Sequence, residues 1–531
     1  MNFISKIFFI VICLLIMPGK SFSQAGRLDT TFGESGIVRT DINNSTFVMS
    51  VKINGDGKIL AVGYSENEND EDFAVSLYNP EGILDTTFGK NGIVNTPIGN
   101  SEDRANSAVI QDDGKIIAAG NSNNGSNDDF AIARYNMNGT LDSTFGTNGI
   151  VITPIGTSDD AALSVISQKD KKIIAAGYSD KAKYRVFAIV RYNIDGTLDK
   201  TFGENGIVTT PVGTSDDVAY SSTLQTDGKI VVAGYSYYPS KYDDDYKMVR
   251  LNPDGTLDNS FGKNGIITSA KTSNEEFNSV AIQKDGKIVT AGYFDSGDNA
   301  LFAITRFNPD GTLDNTFGTD GIATKHFDTS SDDYAKSIKV QSNGKIVVAG
   351  YTIHNIFKSA FAIARYNPNG SLDNTFGENG INTLHINTNP SYDFAKAYSI
   401  AFQRNGKIIV AGHAEVNNNY TVAIIARYTG DSPTGVFQEI SNEPNSYMLK
   451  QNYPNPFNPS TKISYSLPKS GFVTLNVYNL LGQKVAELVN EKQHAGNYEA
   501  TFNAGSLPSG IYIYKITTNT YTNSRKMILI K

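Results

Sequence analysis

The 531-residue chain has one cysteine and no tryptophan, although Tyr and Phe each occur 28 times. A lone thiol, Cys13, excludes a disulfide scaffold and any zinc or iron–sulfur centre built on several thiolates. Charged residues are also few, 19% against the roughly 25% usual for soluble domains, which disfavours long charged helices. With 46 basic and 54 acidic residues the net charge is −8, and no Lys/Arg run stands out. That balance argues against a nucleic-acid-binding surface. Long apolar runs are missing as well: Ile7 to Met17 has eleven residues, short of the roughly 20 that cross a bilayer, and none elsewhere is long enough. Glycine, by contrast, is abundant, with 48 copies. Length alone suggests about three or four ordinary domains.

Residues 1–23 read as a cleavable secretory signal. Lys6 precedes the apolar run, Pro18 and Gly19 break it, and small residues at Ser21 and Ser23 favour cleavage between Ser23 and Gln24. A membrane anchor is the alternative, and the run is too short for one. Removing Lys6 and Lys20 would take the net charge from −8 to −10 and leave no cysteine.

Internal repeats decide the rest. The string L-D-x-[ST]-F-G starts at Leu28, Leu84, Leu141, Leu198, Leu257, Leu313 and Leu372, about 57 residues apart on average. [DN]-G-K-I starts at Asp56, Asp113, Asp227, Asp285, Asn343 and Asn405, with a degenerate copy at Asp170. FAIARYN occurs at Phe130 and Phe361, with variants at Phe73, Phe187, Tyr246, Phe302 and Val422. Three markers each count seven units. Every unit holds four segments of 5 to 7 residues rich in Ile, Val and aromatics and bounded by Gly, Asp, Asn or Pro, which is strand patterning. Seven four-stranded units predict an all-β, seven-bladed β-propeller, because radial closure leaves only short, protected edges. An open solenoid would need caps that neither end of the array supplies.

The segments KIIAAGY, FAIARYN and NPDGTLDNTFG together resemble the delta-60 repeat family of bacterial surface proteins, over about Leu28 to Gly430. By analogy with other propellers, the strand before each D-G-K turn is innermost and the GIV strand after LDxTFG is outermost. The chain opens with an LDTTFG–GIV copy and closes its array with VAIIARY (Val422 to Tyr428), so the N-terminal strand should complete the last blade.

Loop lengths distinguish the faces of the disc. The D-G-K turn and the FAIARYN-to-LD turn are constant, whereas the loops after AG and after LDxTFG vary and should emerge together on one face, where binding usually resides. That face is acidic. Asp159, Asp160, Asp216, Asp217, Asp332 and Asp333 are candidate Ca²⁺ ligands through their oxygens. The plainer reading of these acids is turn capping, since no copy has calcium-loop spacing. Arg134, Arg191, Arg250, Arg306, Arg365 and Arg427 occupy one strand position, and pairing with the Asp of LDxTFG would satisfy both groups where blades pack. The first repeat has Leu77 there. No nucleophile elbow, phosphate loop or thiol is present among the motifs, so no catalytic residues and no cofactor are assigned, and the reading is a non-enzyme. A polysaccharide-active enzyme or carbohydrate-binding propeller is the alternative, because separate blades can bring an acid pair together. The missing Trp counts against sugar stacking, although Tyr237, Tyr238 and Tyr242 in one variable loop could partly substitute.

Beyond the propeller (24–430), residues 431–446 read as a linker and 447–531 as a second domain, a small Ig-like β-sandwich. YPNPFNP (Tyr453, Pro454, Asn455, Pro456 onward), YNLLGQKV with Gly482, SGIYIYKI with Gly510 and Tyr512, and KMILIK from Lys526 to Lys531 resemble the type IX secretion sorting domain of Bacteroidetes-like bacteria. The resemblance implies export by the signal, outer-membrane passage through the type IX machinery as partner, and a secreted or cell-surface protein. Its ligand, an extracellular protein or glycan, is not named by the sequence.

Overall fold

The computed structural model describes residues 25–431 and 447–530, apart from 43, 69, 100, 182–183, 239–242, 269–273, 296, 298, 356–357, 387–392, 417–419, 470, 494–495, 506 and 519. The signal with its Ser23–Gln24 junction, most of the linker, Tyr242 and Lys531 lie outside the described residues. All regular structure among the described residues is β-strand, and no helix there is long and apolar enough to cross a membrane. The chain divides into two compact units, Met1–Phe437 and Gln438–Lys531.

In the first unit each repeat folds as four antiparallel strands. The first blade comprises Ser45–Ile53, Ile59–Glu66, Glu71–Tyr78 and Ile93–Thr96, paired in that order. Turn chemistry sets this local pattern. Gly57 in the D-G-K turn and Gly82 in the next loop take φ of 82° and 90°, values that a side chain resists. The innermost strands of the later blades are Asp103–Ile110, Asp160–Ser167, Asp217–Leu224, Glu275–Ile282, Asp332–Val340 and Asp393–Phe402. Each lies beside the next, and the last lies beside Ser45–Ile53, which closes a ring of seven blades.

Closure follows the order of the motifs. The seventh blade takes Asp393–Phe402, Ile408–Val416 and Tyr420–Tyr428 from the end of the array. Its outer strand is Ile37–Thr40 from the beginning, in register Ile37↔Ala426 to Thr40↔Ala423. The strand before D-G-K is innermost and the GIV strand outermost in every blade. Blades six and seven also share a short parallel pairing, Lys358↔Asp393 and Ser359↔Phe394.

Three repeated devices fasten neighbouring blades. The Phe of all seven LDxTFG copies is fully buried (Phe32, Phe88, Phe145, Phe202, Phe261, Phe317 and Phe376, each 0% exposed), and burying such a ring contributes on the order of 2 kcal/mol. The Gly that follows donates its N–H to the next blade's hairpin, as in Gly146 to Asp195 O at 2.8 Å, with Gly377 to Ala25 O (2.8 Å) and Gly33 to Glu81 O (3.3 Å) closing the circle. A third circle is made of serines. Each inner strand has a bulge, and the Ser after it accepts a backbone N–H from the next inner strand. Ser50 takes Ala108 N (3.3 Å), Ser107 takes Val165 N (3.1 Å), and so on round to Ser399, which takes Val51 N at 3.0 Å.

The repeated arginines sit where blades meet. Arg134, Arg191, Arg250, Arg306 and Arg365 donate Nε to Asp142, Asp199, Asp258, Asp314 and Asp373 at 2.6–2.7 Å, and Arg427 reaches Asp29 at 2.8 Å. The guanidinium lies over the buried Phe ring of its own blade, 4.3–4.8 Å from the centroid. Its Nη1 donates to a hairpin carbonyl of the following blade, as in Arg191 to Pro253 O at 2.5 Å. In Arg365 it is Nη2 that donates beyond the blade, to Asp431 Oδ1 at 2.8 Å, and Nη1 is buried without a hydrogen-bond partner among the described residues. The same aspartates accept the D-G-K lysine at 2.5–2.9 Å in all seven repeats. In the first repeat, where Leu77 replaces Arg, Lys58 is the cation on Asp85.

The second unit is a two-sheet sandwich. Met448–Leu449, Ser460–Leu467 and Gly496–Asn503 form one sheet; Lys484–Gln493, Gly471–Tyr478, Gly510–Thr517 and Thr522–Leu529 form the other. Alternate residues such as Ile463, Tyr465, Val473, Leu475, Tyr514 and Met527 fill the space between them, the period-two burial of paired sheets.

Candidate functional site

The acidic pairs of the variable face are fastened to backbone amides. Neighbouring residues on a strand point to opposite sides, so the two carboxylates of each pair diverge. Asp160 turns inward and accepts the N–H groups of Ile155 (2.7 Å) and Gly156 (3.1 Å). Asp217 does the same for Val212 (2.8 Å) and Gly213 (3.1 Å), and Asp333 for Phe327 (3.0 Å). Their partners reach the preceding blade: Asp159 accepts Asp128 N–H (3.0 Å), Asp216 accepts Arg185 N–H (3.0 Å) and Asp332 accepts Ala300 N–H (2.9 Å). Burial raises the pKa of Asp160, Asp217 and Asp333, against the lowering effect of their hydrogen bonds. No group of three or more His, Cys, Asp or Glu among the described residues is placed to hold a metal ion.

A different set of side chains gathers in the central channel. The bulge in each inner strand turns one extra residue toward the axis, and the bulged positions include Tyr220, Asn278, Lys336 and Tyr398. Two residues earlier on the same face stand Phe47, Arg104, Glu276, Tyr334 and Lys396, and opposite them across the strand pair stand Tyr64, Asn121, Tyr293, Tyr351 and His413. These positions lie at the ends of the strands that meet the variable loops. Lys336 of the sixth blade has Nζ 5.8 Å from the Tyr220 ring of the fourth. Residues two blades apart meet in this way only across the axis.

One wall of this mouth is a continuous arc of rings. Tyr293 meets Tyr334 (5.0 Å between centroids), Tyr334 meets Tyr351 (5.3 Å) and Tyr351 meets Tyr398 (6.2 Å). Tyr398 stacks on His413 (5.1 Å), His413 meets Phe47 edge-on (5.0 Å), and Phe47 stacks on Tyr64 (4.6 Å), over which Arg104 lies at 5.7 Å. The arc runs from the fifth blade through the seventh and first to the second. At the positions equivalent to Phe47 the third and fourth blades have Ala161 and Val218, with Tyr178 and Tyr235 opposite them, and Tyr235 stacks on Tyr220 at 5.6 Å, so rings continue on this side too.

Charged groups stand among these rings. Lys396 lies 5.2 Å and Lys336 6.0 Å from the Tyr351 ring centre. Lys336 donates to Asn278 Oδ1 at 3.0 Å, and no carboxylate among the described residues is within ion-pair distance of either ammonium. Burial pushes the Lys336 pKa down, with Glu276 opposing. Burial, then the Lys396 charge, lowers His413 to about 3, so its ring is neutral at physiological pH, and its Nδ1 is buried without a hydrogen-bond partner. Burial raises the Tyr64 and Tyr398 phenols to about 12, so both remain protonated donors.

The repeat pattern concealed this set. Loop length and acidity singled out the face on which these residues stand, but the channel residues differ from blade to blade, and a consensus discards them. Tyr237 is half-buried on its strand, while the side chain of Tyr238 lies outside the described residues.

In the sandwich the sorting-motif residues divide into scaffold and surface. Asn455 accepts Ile528 N–H at 2.8 Å, Asn452 donates to Pro454 O at 3.0 Å, and Gln451 donates to Lys526 O at 2.7 Å. The bonds to Ile528 and Lys526 join the YPNPFNP segment and the residues before it to the final strand. Tyr512 is buried with its hydroxyl on Pro508 O (2.8 Å). Gly482 ends a turn with φ of 79°, and that turn leaves Leu480 and Leu481 66% and 84% exposed; Tyr453 is 81% exposed.

Comparisons with known proteins agree with this division. The model of a domain of unknown function (DUF5122) beta-propeller matches residues 55–88, 111–145, 168–202, 225–261, 283–317, 341–376 and 403–432. The secretion system C-terminal sorting domain matches 451–531. No curated protein matches the chain. Among solved structures, the polysaccharide lyase Uly1 is similar at 9% identity, over 75% of this chain and 93% of its own, with a TM-score of 0.42. The beta-propeller domain of the Trilobed protease from Pyrococcus furiosus is 11% identical over 74% of this chain and 95% of its own, with a TM-score of 0.39. PorZ, a surface component of the type-IX secretion system of Porphyromonas gingivalis, is 9% identical over 91% of this chain and 81% of its own, with a TM-score of 0.25. Seven propeller repeats followed by a sorting sandwich make this chain a delta-60 repeat β-propeller protein with a C-terminal type IX secretion sorting domain, exported to the cell surface or extracellular space.

Proposed function

We propose that the propeller is a binding module that takes an extracellular ligand at the channel mouth on its variable-loop face. The observation that carries this reading is the arc of rings from Tyr293 to Tyr64, in which Tyr351 is buried while Tyr293, Tyr334, Tyr398, Phe47 and Tyr64 are only partly buried. Aromatic surface left unfilled in a fold whose core is otherwise closed is what a ligand would cover. The experiment is capture of surface material by the full chain, compared with Tyr351→Ala/Tyr398→Ala. Loss of captured components in the double variant, at unchanged melting temperature, supports the reading, and identical capture removes it.

A carbohydrate is the favoured ligand class, since flat rings suit the apolar faces of sugars. An enzyme acting on that carbohydrate is the second reading; Glu276 stands at the mouth opposite Tyr293, with burial raising its pKa against the Lys336 charge. In the mature chain we place the N-terminus at Gln24, the propeller at 24–430, the linker at 431–446 and the sorting domain at 447–531. Within the sorting domain, the exposed Tyr453 and the tip ended by Gly482 are the surfaces offered to the secretion machinery, while Asn455, Pro456, Gly510, Tyr512 and Lys526 hold their shape.

A further inference from the structure

We infer that removal of the secretory signal completes the ring: hydrolysis of the Ser23–Gln24 bond creates a chain end whose first carbonyl, that of Gln24, caps Arg365 Nη1 at the seam of the seventh blade. This rests on the placement of the mature N-terminus at Gln24 and is independent of the channel.

The seam hairpin is a split copy of the hairpins in the other blades. In the fourth blade Asn252 N–H donates to Thr256 O (2.8 Å), Gly255 N–H donates to Asn252 O (2.9 Å), and Asp254 O accepts Gly203 N–H from the preceding blade (2.8 Å). The seventh blade builds the same turn from two separate pieces of chain. Thr429 N–H donates to Arg27 O (2.8 Å), Gly26 N–H donates to Thr429 O (2.6 Å), and Ala25 O accepts Gly377 N–H (2.8 Å). Thr429 therefore stands for Asn252, and Ala25 and Gly26 stand for Asp254 and Gly255. Gly26 and Gly255 share the left-handed φ, 83° and 89°.

The residue before Asp254 is Pro253, whose carbonyl takes Arg191 Nη1 at 2.5 Å. The same turn position supplies the carbonyl for Arg134, Arg250, Arg306 and Arg427. Arg365 differs: its side chain is 0% exposed, and Nη1 has no hydrogen-bond partner among the described residues. A buried N–H of a charged group left bare is costly, and the residue immediately before Ala25 brings a carbonyl to that place. The outgoing chain does not supply it. Asp431 takes Nη2, and Gly430 lies so close to the D-G-K turn of its own blade that a Cβ would collide with Gly406 O.

A chain end suits this position. Asn252 precedes Pro253, but at the seam that place is already held by Thr429. Residue 23 then has no place in the turn, and a chain continuing backward from Gln24 must leave the ring beside the outgoing one. Hydrolysis, which adds the OH of water to the Ser23 carbonyl carbon and its H to the Gln24 nitrogen, removes that conflict.

The test compares melting temperatures of full chains whose first residue is Ser21, Gln24 or Ala25, each released from a fusion without added residues. We expect the Gln24 chain to melt highest and the other two at least about 2 °C lower. Gln24→Ala should match the Gln24 chain, since only the main-chain carbonyl is used. Acetylating the Ala25 chain, which restores a carbonyl, should recover the loss. In Arg365→Met the Gln24 and Ala25 chains should melt together; where that variant fails to fold, the acetylated chain decides. An Ala25 chain as stable as the Gln24 chain overturns the cap, and a Ser21 chain as stable as the Gln24 chain overturns the link to signal removal. N-terminal sequencing of the exported protein is read separately: a start other than Gln24 overturns the placement of the cleavage, while the melting series still decides the cap.

Discussion

Arg427 donates its Nε to Asp29 Oδ2 at 2.8 Å, joining residues 398 positions apart. The same contact is local in five other blades, where arginine and aspartate are eight residues apart. In the seventh it staples the beginning of the array to its end. Lys407 holds the same carboxylate at 2.6 Å, and Thr429 N–H reaches Arg27 O at 2.8 Å beside it.

Asp29→Ala should therefore cost far more than Asp85→Ala. The first leaves the buried Arg427 without its carboxylate, a loss of about 3 kcal/mol or more, and weakens the ring closure. The second leaves only Lys58, which is 35% exposed, worth roughly 1 kcal/mol or less. Denaturant midpoints of the two variants check the ordering, and equal shifts would show that closure at Asp29 adds nothing to a local pair.

Acid should open the ring before it affects the strands. Burial would raise the pKa of Asp29, but hydrogen bonds from Lys407 and Thr31 and the Arg427 charge outweigh it and hold the carboxyl down at about 2. Asp373 is held at about 2 in the same way. Because these folded pKa values are depressed, the stability they contribute is present above the unfolded value near 3.8 and is lost as pH falls toward 2. Melting temperature followed from pH 5 downward should fall steeply in that window, and less steeply in Asp29→Asn.

Lys171 occupies the D-G-K glycine position with φ of 67°. A side chain there costs about 1 kcal/mol or more relative to glycine. Its ion pair with Asp113 at 2.9 Å is partly exposed and offsets little of that. Lys171→Gly should raise the melting temperature by a few degrees, with Asp113→Asn as the control for the lost pair.

Calcium chelation should leave thermal stability unchanged, because Asp159, Asp160, Asp216, Asp217, Asp332 and Asp333 already accept backbone N–H groups. A melting-temperature drop in EDTA, restored by Ca²⁺ alone, would assign a structural ion to that face.

Removing Lys450 to Lys531 should strand the protein in the periplasm while the propeller folds normally. Cell fractionation and surface proteolysis check this, and undiminished surface display of the truncated chain would falsify a sorting role for the sandwich.

The amino-acid sequence determined what is common to the blades. Seven LDxTFG, D-G-K and FAIARYN copies specify strands, turns, buried Phe rings and Arg–Asp pairs, because these contacts are local or identical between neighbours and so leave a periodic trace. The order of motifs at Leu28 and Val422 likewise foretold the shared last blade. Tertiary structure alone decided what depends on the circle: the lysine shared by each Asp, the serine ring from Ser50 to Ser399, and the channel mouth. Lys336, Lys396, Glu276 and Tyr398 are far apart in sequence and unlike their counterparts in other blades. Only closure about one axis brings them together, and a repeat consensus removes such differences before they can be read.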